Sequence, residues 1–177
     1  MKCAAVSLPS RKRNLDRYFI DEDTDVFAVL DGTTAGGEFS ELFVDWLIEL
    51  MRGYISRLED PPFYFNAERS VFLARMVEKA DTELPKRMRD RYGGQLNPSA
   101  LGIGSTLTLA YYGGSHWIVI NSGDSKAFLV RGGNLTQLSY DDTQFNRWIE
   151  DGLVKVRGGK IQYKLGKWQK VALWFVL

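Results

Sequence analysis

The chain has 177 residues, 45% of them apolar and 13% aromatic, which describes one globular domain with length for a real core rather than a disordered segment. A formal net charge of +1 leaves no global field to gather nucleic acid or an anionic membrane, so neither is expected as a partner. No run approaches the roughly 18 apolar residues needed to span a bilayer.

The start, Met1 to Val6, is too short in apolar length for a secretion signal, and the single cysteine, Cys3, has no internal partner for a disulfide. A reducing, cytoplasmic compartment is the expectation. Cys3 reads as an inert small residue, because no local motif supplies what a reactive thiol requires.

Arg17 to Ile20 and Val26 to Leu30 are aromatic and β-branched runs on either side of a polar stretch, Asp21 to Asp25. This is a hairpin pattern. A turn centred on Asp23 and Thr24 pairs Ile20 with Phe27, Tyr18 with Val29 and Asp16 with Asp31. Directly opposed residues on one sheet face have Cβ atoms roughly 4.5 to 5.5 Å apart, and like charges there repel. A divalent cation would remove that repulsion.

Asp31 opens a small-residue stretch, Gly32 to Gly37, that ends the strand and leads into a helix. Leu42, Phe43, Trp46, Leu47, Leu50, Met51 and Tyr54 then recur at helical spacing, with Glu41, Asp45, Glu49 and Arg52 between them. After Pro61 and Pro62 a second helix is predicted from Ala67 to Tyr92, with Pro85 expected to kink or divide it. Residues 93–104 read as a loop.

From Ser105 the period becomes strand-like: Thr106 to Tyr112, Trp117 to Asn121, Ala127 to Val130 and Leu135 to Leu138. With connections at 113–115, 122–126 and 132–133, these predict three successive hairpins, an antiparallel meander. A short helix is expected from Thr143 to Asp151 and two or three short strands from Lys155 to Leu177. The order of strand pair, helix pair and strand meander gives an α+β domain over residues 1–177, both helices covering sheet.

Hard divalent cations take oxygen ligands and keep several waters, so a few carboxylates and one carbonyl suffice. Asp16 and Asp31 meet that need, and Gly32, lacking a Cβ, can turn sharply and expose its carbonyl beside them. Asp124, in Gly123-Asp124-Ser125, is a third carboxylate, and Arg11 is a candidate clamp for a phosphate oxygen. Each also has a plainer reading: Asp31-Gly32 and Asp124 as turn formers, Arg11-Lys12-Arg13 as a solvated basic stretch. The lysines around Trp168 fit a strand with one wet face better than a nucleic-acid surface.

Five segments resemble, in order and spacing, the motifs of the metal-dependent PPM/PP2C-type protein serine/threonine phosphatases. They are Arg11 to Asp16, Val26 to Gly32, Gly104 to Leu107, Asn121 to Leu129 and Leu135 to Thr143. The resemblance implies a sandwich of two antiparallel β-sheets flanked by helices. It also implies a magnesium or manganese centre between the sheets, held by Asp31, the Gly32 carbonyl and Asp16, with Asp124 near an accessory ion. Arg11 would bind substrate phosphate, and metal-activated water would attack the phosphorus of a phosphoserine or phosphothreonine protein. Asp31 and Asp16 are then the catalytic carboxylates.

The sequence departs from that pattern as well. Leu15 stands where the family usually has an acid, and the Thr33 to Gly37 stretch has no histidine. His116, the one histidine, reads as an exposed strand-end residue. Downstream of Asp142 the one aspartate is Asp151, which echoes a family motif but comes too early. The expectation is therefore a PP2C-like domain lacking the family's C-terminal strands, with an incomplete metal site suited to one ion. Three readings follow: a divalent-metal phosphatase, a catalytically impaired pseudophosphatase that serves as a protein-binding or regulatory module, or a truncated gene product with little function of its own. The apolar Val171 to Leu177 and an open sheet edge also point to self-association.

Overall fold

The computed structural model describes residues 3–8, 14–57, 66–143, 150–152, 154–157 and 160–163. They fall into two compact units, Met1–Tyr140 and Asp141–Leu177.

In the first unit β1 (Asp16–Asp21), β2 (Val26–Asp31), β3 (Leu107–Tyr112) and β4 (Trp117–Ser122) form an antiparallel sheet in chain order. The β1–β2 register is the predicted one, with Asp16 opposite Asp31, Tyr18 opposite Val29 and Ile20 opposite Phe27. The Asp21 carboxylate accepts the N–H groups of Asp23 and Thr24, both at 3.2 Å, and so stabilises the turn.

Alternation along the strands decides the two faces. Phe19, Ala28, Leu30, Leu107, Leu109 and Tyr111 point to one side and are buried. Helix α1 (Glu38–Ile55) lays Phe43, Val44, Leu47, Met51 and Ile55 into the same core, and α2 (Asn66–Arg91) adds Leu73, Met76, Ala80, Leu84 and Met88. Helical period on the one side and strand period on the other meet in a single core. The opposite face keeps Tyr18 and Val29 about half exposed, at 48% and 47%, and carries Asp16 and Asp31 at its end.

Pro85 does not divide the second helix, which runs unbroken through it. Leu84 and Met88, both fully buried, hold the turns on either side to the core, and that packing outweighs one lost backbone hydrogen bond.

The predicted meander is also corrected. Strand β5 (Phe128–Arg131) pairs with β6 (Asn134–Gln137) across a turn with positive φ at Gly132 and Gly133, as expected, but β4 and β5 are not paired. Residues 122–126 are a crossover between two sheets. Side chains hold it there: Thr108 donates to Asn121 Oδ1 (2.5 Å) and to the Ser125 carbonyl (3.1 Å), and the Asn121 amide donates to the carbonyls of Gly123 (2.9 Å) and Tyr140 (2.6 Å). The expected architecture of antiparallel sheets flanked by two helices stands.

In the second unit β7 (Val154–Arg157) and β8 (Lys160–Tyr163) form a hairpin. Most of the helix expected from Thr143 to Asp151, and the apolar stretch from Val171 to Leu177, lie outside the described residues.

Candidate metal and phosphate site

Asp16 starts β1 and Asp31 ends β2, so an antiparallel hairpin of equal arms necessarily sets them side by side. Their carboxyl groups interact. Asp31 is held above the usual aspartate pKa by burial first, then by hydrogen bonding to Asp16 and by the negative charges of Asp16 and Asp124. Two carboxyl groups in contact, with a third negative charge nearby, are an oxygen donor set short of positive charge.

The aspartates open on a cleft of about 230 Å³, walled by Val6 and Ser7 of the N-terminal segment, Tyr18, Val29 and Ser125. Asn14 ties that segment down by donating to Ser7 Oγ at 2.7 Å, while its own Oδ1 accepts the Asp16 N–H at 3.1 Å.

Gly32 is extended, not left-handed, so it does not supply the sharp turn expected of it. Its role is close approach: a Cβ there would lie 2.9 Å from the Leu15 carbonyl oxygen and 3.2 Å from Val44 Cγ2. The junction is fixed through the Gly32 N–H to Leu15 (3.3 Å), the Thr33 N–H to Gly104 (3.0 Å) and the Asp31 carbonyl to the Thr106 N–H (2.9 Å). The Gly32 carbonyl stays free of those three bonds as a further oxygen donor.

Asp124 sits on the crossover at the same end of the sheet, close enough for its charge to act on Asp31. Among the described residues no three acidic, histidine or cysteine side chains are gathered tightly enough to form a closed metal cage. Asp16, Asp31 and a carbonyl, completed by water, are the donor set this geometry provides, and it suits a hard divalent ion. Arg11 lies outside the described residues. His116 follows the β3–β4 turn at the far end of the sheet, its Nδ1 2.8 Å from Ser115 Oγ, and Asp151 belongs to the second unit.

Two residues at the site carry roles that the sequence did not suggest. Thr106 Oγ1 accepts the Asp31 N–H at 3.1 Å and meets Ser125 Oγ at 2.6 Å, linking Asp31 to the crossover that carries Asp124. Arg17 points to the helix side, donating to the carbonyls of Asn14 (2.9 Å) and Asp16 (3.1 Å) and to Glu41 (2.9 Å) and Asp45 (3.3 Å) of α1. Thr106 stood in a segment already set apart. Arg17 had no local signal for its ion pairs, since Glu41 and Asp45 lie more than twenty residues away.

The family model for protein phosphatase 2C matches residues 57–147, just over half of the chain. The chain belongs to the protein phosphatase 2C family. Over 60 residues it is 33% identical to the serine/threonine protein phosphatase PstP of Mycobacterium tuberculosis, a stretch that is 34% of this chain and 12% of that protein. Among solved structures it is similar to the catalytic domain of PstP in complex with two manganese ions, at 22% identity and a TM-score of 0.58, covering 83% of this chain and 57% of that one. It is also similar to the phosphatase Stp1 of Staphylococcus aureus, at 17% identity and a TM-score of 0.60, covering 83% and 55%. The likeness to these structures shows the protein phosphatase 2C fold, and the chain spans little more than half the length of each.

Proposed function

We infer that this protein phosphatase 2C chain hydrolyses phosphoserine or phosphothreonine esters of proteins with a magnesium or manganese ion at Asp16 and Asp31. The observation that carries the reading is the direct opposition of those two carboxyl groups, with burial, the contact with Asp16 and the charges of Asp16 and Asp124 raising the pKa of Asp31. The two manganese ions in the similar PstP structure support the same class of ion here.

A bound divalent ion supplies a nucleophilic water and a counter-charge for the phosphoryl oxygens. The protein's own residues do the rest. Asp16 and Asp31 hold the ion with the Gly32 carbonyl, Thr106 fixes the backbone of Asp31, and Asp124 adds negative charge at the rim. Arg11 pairs with the substrate phosphate. The open cleft suits a phosphorylated side chain on a protein surface, and the exposed, unpaired Cys3 agrees with a cytoplasmic setting. The half-exposed Tyr18 and Val29 on the outer sheet face support self-association.

Hydrolysis of p-nitrophenyl phosphate and of a phosphothreonine peptide, with and without manganese, tests the reading. Turnover is expected to require the ion and to vanish in Asp31→Ala. Activity that survives chelation or that substitution overturns it.

A further inference from the structure

The bond from the Gly32 N–H to the Leu15 carbonyl makes Leu15 and Gly32 a hydrogen-bonded pair, so the next pair, Asp16 and Asp31, is of the non-bonded kind, in which side chains stand closest. The backbone groups of each aspartate then point away from the other. Those of Asp31 meet Thr106 on the β3 side. Those of Asp16 face outward, because β1 ends the strand order of its sheet, and among the described residues no strand faces them.

Nearby side chains supply the partners instead. The Asp16 carbonyl accepts Arg17 Nη1 at 3.1 Å, and the Asp16 N–H is accepted by Asn14 Oδ1, also at 3.1 Å. A backbone N–H only donates, so Asn14 presents the oxygen of its amide to Asp16 and turns the nitrogen the other way. Ser7 Oγ accepts that nitrogen at 2.7 Å and fixes the orientation of the amide. Among the described residues this is the hydrogen bond that holds segment 3–8 to the hairpin, with Ser7 half-buried between the exposed Val6 and Leu8.

We propose that Asn14 is a positioning residue for the divalent ion, and that Ser7, by orienting Asn14, makes the N-terminal segment part of the ion site. Asn14 acts through Asp16. A carboxylate on an edge strand, beside another of like charge, gains by swinging out to solvent, and anchoring its backbone keeps both oxygen donors on one ion. Without the anchor the ion must order Asp16 as it binds, which weakens affinity. This role rests on the ion proposed at Asp16 and Asp31 and does not require that the protein hydrolyse anything.

Calorimetric manganese titration of the full chain, with amide hydrogen exchange in metal-free buffer, tests the role. Asn14→Ala is expected to bind manganese about tenfold more weakly and to exchange the Asp16 N–H about tenfold faster. Asn14→Ser, whose hydroxyl also reaches the N–H two residues on, should bring affinity back to within about threefold of the parent. Ser7→Ala keeps the acceptor but frees the far end of the amide, so a loss of about threefold is expected, and the double variant should bind no more weakly than Asn14→Ala alone. Gly133→Ala, where a Cβ meets nothing within 4 Å, controls for lost stability and keeps the parent's affinity. Parental affinity in Asn14→Ala, or no recovery in Asn14→Ser, overturns the positioning role. Losses that multiply in the double variant overturn the part given to Ser7. A parent that binds no manganese overturns both this role and the proposed function, whereas manganese binding without turnover overturns hydrolysis alone.

Discussion

Thr106 accepts the backbone N–H of Asp31 on its hydroxyl while donating its own N–H to the Asp31 carbonyl, so one threonine holds Asp31 by both backbone groups. The same hydroxyl reaches Ser125, the residue after Asp124 in the chain, at 2.6 Å. Position of the carboxylate thus depends on β3 and on the crossover as much as on the hairpin that bears it.

Thr106→Val keeps the shape and removes the hydroxyl. It leaves the Asp31 N–H without a side-chain acceptor and frees the crossover, and a lost hydrogen bond of this kind costs about 1–2 kcal/mol. Urea unfolding is expected to show that loss, and calorimetric manganese titration a weaker affinity. Thr106→Ser should restore both. A valine variant with unchanged manganese affinity would separate Thr106 from the metal site.

Asp31 also makes stability depend on pH in a definite direction. Its folded pKa lies above the ordinary aspartate value of 3.8, so its favourable contribution is full below that value and is lost as pH rises through the raised folded one. Asp31→Asn has no such loss. The variant is therefore expected to be more stable than the parent at neutral pH and equal to it in acid, by less than about 1 kcal/mol because solvent screens an exposed pair. Manganese should raise the parent's melting temperature at neutral pH and leave the variant unmoved. A parent that gains stability relative to the variant as pH rises would contradict the like-charge contact.

The hairpin and its opposed aspartates were legible because every determinant is local: period-two alternation, a polar turn, and equal arms that fix the register. The helices were legible for the same reason. The crossover was not, since Ser122 to Lys126 reads like any hairpin turn, and what diverts it is the hydroxyl of Thr108 and the amide of Asn121, contacts set by the β3–β4 pairing. Pro85 shows the converse failure, where a strong local breaker was overruled by burial of Leu84 and Met88. The fold was thus readable wherever periodicity alone decides the partner. The site was readable where the turn decides it, and silent where a side chain bridges distant segments.

Arg17 gives a further test, because its guanidinium spans the carbonyls on either side of Leu15 and two acids of α1. A lysine has one charge centre and cannot form that fork. Arg17→Lys and Arg17→Ala are both expected to lose about 1–2 kcal/mol of stability, the ion pairs themselves contributing little at a half-exposed site. Manganese affinity should fall in both, since Asp16 loses its anchor to α1. Equal affinities in all three proteins would confine Arg17 to stability.

Gly123 and Gly133 separate two reasons for glycine. Both have positive φ, 98° and 78°, but a Cβ at Gly133 meets nothing within 4 Å, whereas at Gly123 it would lie 2.7 Å from Thr106 Cγ2. Gly133→Ala should cost only the left-handed backbone penalty, roughly 1–2 kcal/mol. Gly123→Ala adds a collision with the residue that holds Asp31, so a loss of more than about 3 kcal/mol is expected. Its manganese affinity should fall as well, while that of Gly133→Ala stays at the parent's. Matching losses in stability and affinity would mean that the crossover does not bear on the aspartates through Thr106.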